Sequence, residues 1–331
     1  MIFKKKLVIT KTPLRISFFG GGTDMPYFYE KNIGMTISTS INKFVYVTMK
    51  THDNFSEKFR LNYSETEIVN NINNIKNLRI RETLKYFNIN QPLYINTISD
   101  LPYNTGLGSS SAFLVGLIKG LFEMQEKKVS KIKAAEIAFK IENKITNNAL
   151  GKQDHYIASF GGFKKITYKK KITTVASIDI KKENLKKLKK NLLFFWTGEK
   201  RLSNSNLIEQ KNSFLKNYTN LLKLNSFTSI FNKEIKNKNI NIYKIGELMN
   251  KSWDLKKTFS PGISNNFLNE IYDIALASGC IGGKLLGAGG GGFFLFICPN
   301  NKRKKVIKNL KGCVNIDFTF EKLGSTLLVS I

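Results

Sequence analysis

A run of small residues directly ahead of a long apolar segment constrains this chain most. Residues 101–112 read LPYNTGLGSSSA, and residues 112–124 are almost entirely apolar. This order predicts a buried helix over residues 112–124 that is capped by a serine. Glycines let a ligand approach the backbone, and the start of a helix presents unpaired N–H groups at its positive dipole end. The segment is therefore predicted to be a phosphate cradle, although it lacks the GxxxxGK[ST] pattern of a Walker A loop.

A second glycine run lies near the end of the chain. Residues 287–292 read GAGGGG and satisfy GxGxxG, but residues 293–298 that follow have the pattern of a strand. A dinucleotide-binding loop should instead open a helix, which excludes a Rossmann interpretation. We expect this glycine loop to press against a ligand or another loop, and a plain tight hairpin is the alternative.

The charge of the chain is strongly positive. The 331 residues include 53 Lys and Arg but only 24 Asp and Glu, which gives a formal net charge of +29. Such a surface attracts anions, whether nucleic acid, acidic lipid or phosphorylated metabolites, without selecting among them. The lysines are spread along the chain, which favours a solvated surface. A nucleic-acid-binding protein is an alternative, but the sequence has no helix-turn-helix, zinc-finger or aromatic RNP pattern, so we expect no nucleic-acid partner.

Cysteine and histidine are scarce. Three cysteines without CxxC spacing and two histidines argue against a disulfide framework and a zinc site. No run of 18 apolar residues occurs, and the apolar stretch near the start is too short for a signal peptide. We therefore expect a cytoplasmic protein with no membrane partner, and we leave a homodimer open.

The pattern of elements predicts an α+β protein with two domains, since 331 residues exceed the usual size of one. A lysine-rich stretch at 181–190 is the expected boundary, so the domains are predicted at 1–185 and 186–331. Strands are predicted at 5–18, 33–49, 92–98, 163–180 (a hairpin), 192–196, 293–298, 314–320 and 325–331. Helices are predicted at 70–86, 112–124, 130–146, 202–223, 241–255, 266–278 and 301–311.

Three stretches together resemble the signature of the GHMP kinase superfamily, which includes galactokinase, homoserine kinase and mevalonate kinase. They are residues 12–20, 106–112 and 284–292, which occur in the family's order and span nearly the whole chain. The resemblance implies the two-domain GHMP kinase fold, with an N-terminal domain like ribosomal protein S5 domain 2 and a ferredoxin-like C-terminal domain. It also implies ATP and Mg²⁺ as cofactors. The implied ATP-binding residues are Gly106, Leu107, Gly108, Ser109, Ser110, Ser111, Gly287 and Gly289.

Residues 20–24, which read GGGTD, suggest a branch of the superfamily. Galactokinases have GEHTD here, mevalonate kinases have Lys in place of Arg15 and lack the Thr-Asp pair, and fucokinase-like enzymes usually have Trp in place of Gly22. The pattern resembles the D-glycero-D-manno-heptose 7-phosphate kinases. That resemblance implies phosphorylation of the anomeric hydroxyl to give heptose 1,7-bisphosphate, in the supply of nucleotide-activated heptose for surface glycans. The alternatives are a fucokinase-like or other sugar 1-kinase and a nucleotide-binding regulatory pseudokinase.

The resemblance also implies the catalytic residues. Residues 151–156, GKQDHY, match the segment that contains the catalytic aspartate, which would be Asp154. Glu142, twelve residues earlier, is near the spacing of the Mg²⁺-binding glutamate, and Ser110 or Ser111 would complete the metal site. Arg15 would stabilise charge near the transferred group. This fits a loose transition state, in which alignment and charge neutralisation do most of the catalysis. The alternatives are a helix N-cap for Asp154 and a solvated helix face for Glu142.

The sugar is expected to meet the loop that follows the first strand, where a carboxylate can accept hydrogen bonds from hydroxyl groups. A turn-capping role is the alternative for that carboxylate. A sugar phosphate also requires a distant cationic pocket. The predicted substrate-binding residues are Gly21, Gly22, Thr23, Asp24, Arg201 and Lys256.

Overall fold

The computed structural model describes residues 3–53, 57–200 and 205–331. In these ranges the strands form a nine-stranded and a four-stranded sheet. The strands are β1 (Leu7–Phe19), β2 (Gly34–Thr51), β3 (Phe59–Asn62), β4 (Thr66–Val69), β5 (Leu93–Ser99), β6 (Phe163–Tyr168), β7 (Thr173–Ser177), β8 (Leu192–Trp196), β9 (Gly282–Leu285), β10 (Phe293–Ile297), β11 (Val314–Asn315), β12 (Phe320–Glu321) and β13 (Thr326–Ser330). The helices are α1 (Pro26–Tyr29), α2 (Leu78–Tyr86), α3 (Ser109–Met124), α4 (Lys131–Ile145), α5 (Gln153–Phe160), α6 (Lys182–Lys190), α7 (Ser205–Asn212), α8 (Tyr218–Glu234), α9 (Ile242–Lys257), α10 (Asn266–Ala277) and α11 (Arg303–Asn309).

The large sheet is organised around the antiparallel pair of β1 and β2. The main strand order is β13-β1-β2-β5-β3-β4, and β6 and β12 also pair with β2. The first part of β1, residues 7–12, alternates between partly exposed and buried residues. The second part, residues 13–19, is buried throughout. The register of β1 against β2 shifts between Pro13 and Arg15, beside a residue that has no backbone N–H to donate. The Arg15 N–H instead donates to the Leu107 carbonyl at 3.1 Å, which attaches the first glycine loop to the sheet.

The buried helix predicted at 112–124 is confirmed as α3, but its cap differs from the prediction. The N-cap is Gly108, which has φ 74° and makes no side-chain cap hydrogen bond. Glycine adopts the left-handed backbone conformation with little steric strain, whereas residues with a Cβ do not. At Gly108 this conformation turns the chain sharply from the loop into the helix. All three serines consequently lie in the first turn of α3, where their amides are the unpaired donors of the helix start.

The four-stranded sheet is antiparallel in the order β11-β8-β10-β9. The sequences LLFFW of β8 and FFLFI of β10 are almost wholly buried, and their rings stack within the sheet, as in Phe194 on Phe293 at 4.4 Å between centroids. Runs buried on both faces read as continuous apolar sequence, which is why these strands were predictable.

Several elements differ from the sequence predictions. The strand predicted at 314–320 is present only as the two-residue strands β11 and β12, and the sequence analysis did not predict α5, α6, β3 or β4. The helix predicted at 70–86 begins only at Leu78, because Asn77 caps α2 by accepting from the Arg79 and Ile80 amides. The region predicted as one helix at 202–223 contains α7 and the start of α8, while residues 201–204 lie outside the described residues. The predicted hairpin at 163–180 is confirmed by the antiparallel pairing of β6 with β7.

The end of the chain returns to the beginning. β13 pairs with β1 and β12 pairs with β2, so the last residues complete the N-terminal sheet. The domain division at residue 185 stays a prediction. None of the helices in the described part of the chain combines the length and apolar character that crossing a bilayer requires.

Candidate active site

One cleft of about 1150 Å³ brings together the segments that the sequence analysis selected. The start of α3, the loop after β1, the start of α5, the end of α9 and the loop between β9 and β10 all line it. Most of the predicted site residues contribute to its wall. They are Arg15, Gly21, Gly22, Asp24, Gly106, Gly108, Ser109, Ser110, Ser111, Glu142, Asp154, Lys256 and Gly287.

Three predicted residues lie behind the cleft wall, and one lies outside the described residues. The fully buried Thr23 donates its hydroxyl to the Gly20 and Met35 carbonyls, so it holds the loop after β1 in shape. Leu107 is also fully buried, and Gly289 packs against the Ile263 backbone. Arg201 is in the part of the chain that is not described.

The two glycine loops press directly on each other. A Cβ added to Gly287 would lie 2.6 Å from the Gly106 Cα, and a Cβ added to Gly106 would overlap the Leu286 carbonyl oxygen. Gly106 also has φ +81°. The prediction that the second loop presses against another loop is confirmed, and the same loop joins the antiparallel strands β9 and β10. The contact fixes the floor of the cleft below the start of α3.

Arg15 and Asp154 form a two-pronged ion pair at the centre of the cleft. Arg15 Nε donates to Asp154 Oδ1 at 2.7 Å, and Nη2 donates to Oδ2 at 2.6 Å. The remaining arm, Nη1, donates to the Gly106 carbonyl. Arg15 is nearly buried, while 24% of the Asp154 side chain stays exposed to the cleft. Burial alone would raise the pKa of Asp154, but the Arg15 charge and its hydrogen bonds outweigh burial and hold the pKa below its ordinary value.

Gln153 orients the same carboxylate. Its Nε2 donates to Asp154 Oδ1 at 3.2 Å, while its Oε1 accepts from Ser17 and Ser38 at 2.8 and 3.0 Å. Because these hydroxyls belong to β1 and β2, the amide group links the start of α5 to the main sheet. The Asp154 carboxylate is thus constrained on both sides.

Glu142 is a buried carboxylate surrounded by donors. Its Oε1 accepts from Arg79 Nε at 2.8 Å, and its Oε2 lies 2.9 Å from Ser111 Oγ and 2.7 Å from His155 Nε2. Burial would raise the pKa of Glu142, but the charges and hydrogen bonds of Arg79 and His155 lower it far below its ordinary value. Glu142 therefore faces the start of α3 as a carboxylate, and the alternative of a solvated helix face is excluded by its 1% exposure.

Asp24 connects the loop after β1 to the start of α5. Its Oδ1 accepts a hydrogen bond from the backbone N–H of Gly22 at 3.0 Å, and its Oδ2 accepts one from the backbone N–H of Gln153 at 3.1 Å. Gly151 leaves room for this contact, since a Cβ there would overlap Asp24 Oδ2. Burial, reinforced by the nearby charge of Asp154, raises the pKa of Asp24. The predicted turn contact is present, and the carboxyl group also lines the cleft.

Comparison with known proteins identifies the chain. The family model for the GHMP kinases N terminal domain matches residues 57–162, and the model for the GHMP kinases C terminal matches residues 232–315. A Campylobacter jejuni protein named D-glycero-alpha-D-manno-heptose 7-phosphate kinase is 31% identical over 338 residues, which cover 96% of this chain and 98% of that one. The chain belongs to the GHMP kinase family. It is an ATP-dependent phosphotransferase with an alcohol group as acceptor, as the members of this family are.

Further comparisons of sequence and of structure also give GHMP kinases. A Methanocaldococcus jannaschii mevalonate kinase is 27% identical over 329 residues, which cover 92% of this chain and 96% of that one. The crystal structure of a D-glycero-D-manno-heptose 1-phosphate kinase from Bacteroides thetaiotaomicron superposes with a TM-score of 0.72 at 20% identity, covering 97% of this kinase and 99% of that chain. At that identity the likeness shows the two-domain GHMP kinase fold alone.

The residues of this kinase fit both ATP and Mg²⁺. No described side chain caps the start of α3, and Ser109, Ser110 and Ser111 of its first turn line the cleft, where unpaired helix N–H groups are the general arrangement of an anion site. Glu142 and the serine hydroxyls are hard oxygen donors of the kind that Mg²⁺ prefers. The described residues contain no cluster of three acidic, histidine or cysteine side chains that could hold a metal ion.

Three residues of the kinase cleft escaped the sequence analysis as functional positions. Arg79 and Gln153 hold Glu142 and Asp154, and Lys284 lines the cleft beside them. Lys284 is inside one of the three stretches that resemble the family signature, and Gln153 is inside the 151–156 segment beside Asp154, so their positions were a usable clue. Arg79 offered none, because it lies on α2 and reaches the site only through the packing of α2 on α4.

Proposed function

We propose that this GHMP kinase transfers the γ-phosphoryl group of ATP to the anomeric hydroxyl of D-glycero-D-manno-heptose 7-phosphate, giving the 1,7-bisphosphate. The observation that supports this most is the composition of the cleft. The Arg15–Asp154 pair lines the same cleft as the serines at the start of α3, Asp24 and Lys256. A hydroxyl-binding carboxylate beside a cation suits a sugar that already has a phosphate. The Campylobacter jejuni relative gives independent support to the heptose substrate.

In the proposed reaction Asp154 orients the anomeric hydroxyl and accepts its proton. The O1–H bond breaks, a bond forms from O1 to the γ-phosphorus, and the bond from that phosphorus to the bridging oxygen of ADP breaks. A carboxylate with a lowered pKa is a weak base, but a loose transition state releases the hydroxyl proton late. Arg15 holds the carboxylate in place and neutralises charge on the transferred group. The amides of Ser109, Ser110 and Ser111 bind phosphate oxygens.

We propose Ser110 and Glu142 as the protein ligands of Mg²⁺, which neutralises charge on the β- and γ-phosphates when it is bound. Glu142 has an acceptor position left after Arg79, Ser111 and His155, because a carboxylate offers about four lone-pair sites. The neighbouring Ser111 hydroxyl already donates to Glu142, so Ser110 is the serine with the freer geometry. Arg79 and His155 would then keep the carboxylate directed at the cradle.

Glu142→Gln should raise the Mg²⁺ concentration that gives half-maximal activity by about tenfold, on the scale of losing support at a metal site. Glutamine keeps the size of the side chain and one acceptor oxygen but removes its charge. Titrating Mg²⁺ at saturating ATP measures the effect. Glu82→Gln is the matched control, because Glu82 pairs with Lys144 at 2.9 Å and does not line the cleft. An unchanged titration in Glu142→Gln would show that the metal is held by other groups.

A panel of acceptors tests the proposed substrate. ADP release should be measured with heptose 7-phosphate, free mannoheptose, fucose and mevalonate, and the site of phosphorylation should be established by ³¹P NMR. A charge-assisted contact to the distal phosphate predicts a kcat/KM about 10- to 100-fold higher for heptose 7-phosphate than for free mannoheptose. A preference for fucose or mevalonate would overturn the substrate assignment and leave the kinase assignment intact.

A further inference from the structure

The cations of the cleft fall into two groups. Arg15 pairs with Asp154 at 2.6 Å, and Arg79 pairs with Glu142 at 2.8 Å. Both guanidinium groups thus already have a carboxylate partner in the proposed catalytic centre. Two further cations line the same cleft, and their surroundings are different.

Lys256 and Lys284, here called the lysine pair, donate hydrogen bonds only to neutral oxygen atoms within the described part of the chain. Lys256 Nζ donates to the side-chain oxygen of the buried Gln210, and Lys284 Nζ donates to the Phe18 carbonyl at 3.3 Å. Among the residues that the structure describes, neither ammonium group has a carboxylate within ion-pair distance. Asp24 acts on Lys256 only at longer range, and both of its oxygens already accept backbone N–H groups. Each ammonium group has three donors, so the pair keeps donors available for a ligand.

The lysine pair lies on the acceptor side of the cleft. Phe18, which Lys284 contacts, is two residues ahead of the loop that begins at Gly20. Lys256 stands 5.0 Å from the centre of the Phe259 ring, and that ring in turn flanks Gly22 of the same loop. The pair therefore borders the loop that ends in Asp24. Lys284 also lies three residues ahead of Gly287, one of the glycines that the family resemblance assigns to ATP, so the test below includes a measurement on the nucleotide.

We propose that the lysine pair is a binding site for a phosphate dianion on the acceptor, and that this site sets the preference of the enzyme for a phosphorylated sugar. The inference rests on the proposed function, because it takes the dianion to be the distal phosphate of that sugar. Both lysines line one cleft, and the charge of Lys256 acts on Lys284. Like charges repel each other, and an anion that binds both ammonium groups offsets that repulsion.

The electrostatics of the free enzyme agree with this geometry. Burial lowers the pKa of Lys256 to about 8 and that of Lys284 to about 7, and the charge of Lys256 adds to the shift at Lys284. These are the directions expected for cations that lack a counter-charge. A bound dianion would reverse both shifts.

The test compares Lys256→Met and Lys284→Met with the wild type, using heptose 7-phosphate and free mannoheptose as acceptors. Methionine keeps most of the side-chain length and removes the charge. Each substitution should lower the ratio of the two kcat/KM values about tenfold, because kcat/KM for heptose 7-phosphate falls more than that for free mannoheptose, and the KM for ATP should change less than threefold. Lys257→Met is the matched control, since the neighbouring Lys257 pairs with Asp254 at 3.1 Å and does not line the cleft.

The outcomes separate this inference from the proposed function. A wild type that prefers heptose 7-phosphate and variants that keep the full preference would overturn the lysine pair alone. A wild type without the preference would overturn the substrate assignment and the pair together. A raised KM for ATP with an unchanged acceptor ratio would assign the lysines to the nucleotide and overturn the inference. Lys284→Arg should restore the ratio, and thermal unfolding of each variant checks that the fold is retained.

Discussion

Replacing Asp154 with asparagine should lower kcat by about 10²-fold or more, the usual scale for a positioned acid–base group. Asparagine has nearly the same shape, but it cannot accept the proton of the attacking hydroxyl. It also brings an N–H group or a neutral oxygen against Arg15, whose Nε and Nη2 both donate to the carboxylate in the wild type. Steady-state turnover and calorimetric binding of ATP and sugar together measure the effect, because binding should persist when the chemistry is lost.

Stability must be measured beside turnover, because Arg15 is nearly buried and loses its counter-charge in this variant. Removing one partner of a buried pair is destabilising, although the 24% exposure of the Asp154 side chain softens the cost here. Asp317→Asn makes the same chemical change at an exposed pair with Lys189 and should leave turnover unaltered. Turnover of Asp154→Asn within threefold of the wild type would remove Asp154 from the catalytic role.

The pH dependence of kcat/KM in the wild type tests whether Asp154 is ionised in the active enzyme. Its pKa in the folded enzyme lies below the ordinary value of 3.8, so the carboxylate is ionised at every pH above that value. The base form is lost only as pH falls through the lowered pKa. We therefore expect kcat/KM to show no acid limb attributable to Asp154 between about pH 5 and pH 8.

Gly106→Ala should produce the second large effect. The new methyl group would overlap the Leu286 carbonyl oxygen. The alanine backbone would also have to adopt φ +81°, which L-residues rarely do. Strain of that kind costs about 1–3 kcal/mol before any overlap is counted. The loop can relax only by moving away from the loop between β9 and β10, and Arg15 Nη1 would then lose its carbonyl partner.

We expect Gly106→Ala to lower the free energy of unfolding by at least about 2 kcal/mol. We also expect it to lower kcat/KM about 10²-fold, because a displacement of catalytic groups by about 1 Å is enough for such a loss. Chemical denaturation and initial rates at saturating Mg²⁺ measure the two effects. Gly312→Ala is the control, because a Cβ at Gly312 meets no atom within 4 Å. Wild-type stability in Gly106→Ala would mean that the two glycine loops are not held in contact.

Some of this architecture was predictable because it depends on local chemistry. The buried helix α3, the apolar strands β8 and β10 and the hairpin of β6 with β7 follow from periodicity and turn residues close together in the chain. The superfamily was indicated by the resemblance of three short motifs to a known signature, and the glycines in those motifs allow a phosphate to approach the backbone. Even here the serine cap was wrong, since a left-handed Gly108 starts the helix and propensity alone could not show that.

The sequence by itself, through its resemblance to a known family, indicated the class of the enzyme and many of the residues that line the cleft, while the tertiary structure decided how those residues are paired. Arg15 meets Asp154 across 139 positions of sequence, and Arg79 meets Glu142 across 63. Only the tertiary structure shows that Arg15 and Arg79 have carboxylate partners in the cleft, whereas in the described part of the chain Lys256 and Lys284 do not. Pairings of this kind depend on which strands and helices pack together. That packing is set by burial summed over the whole chain, and no single stretch of sequence contains it.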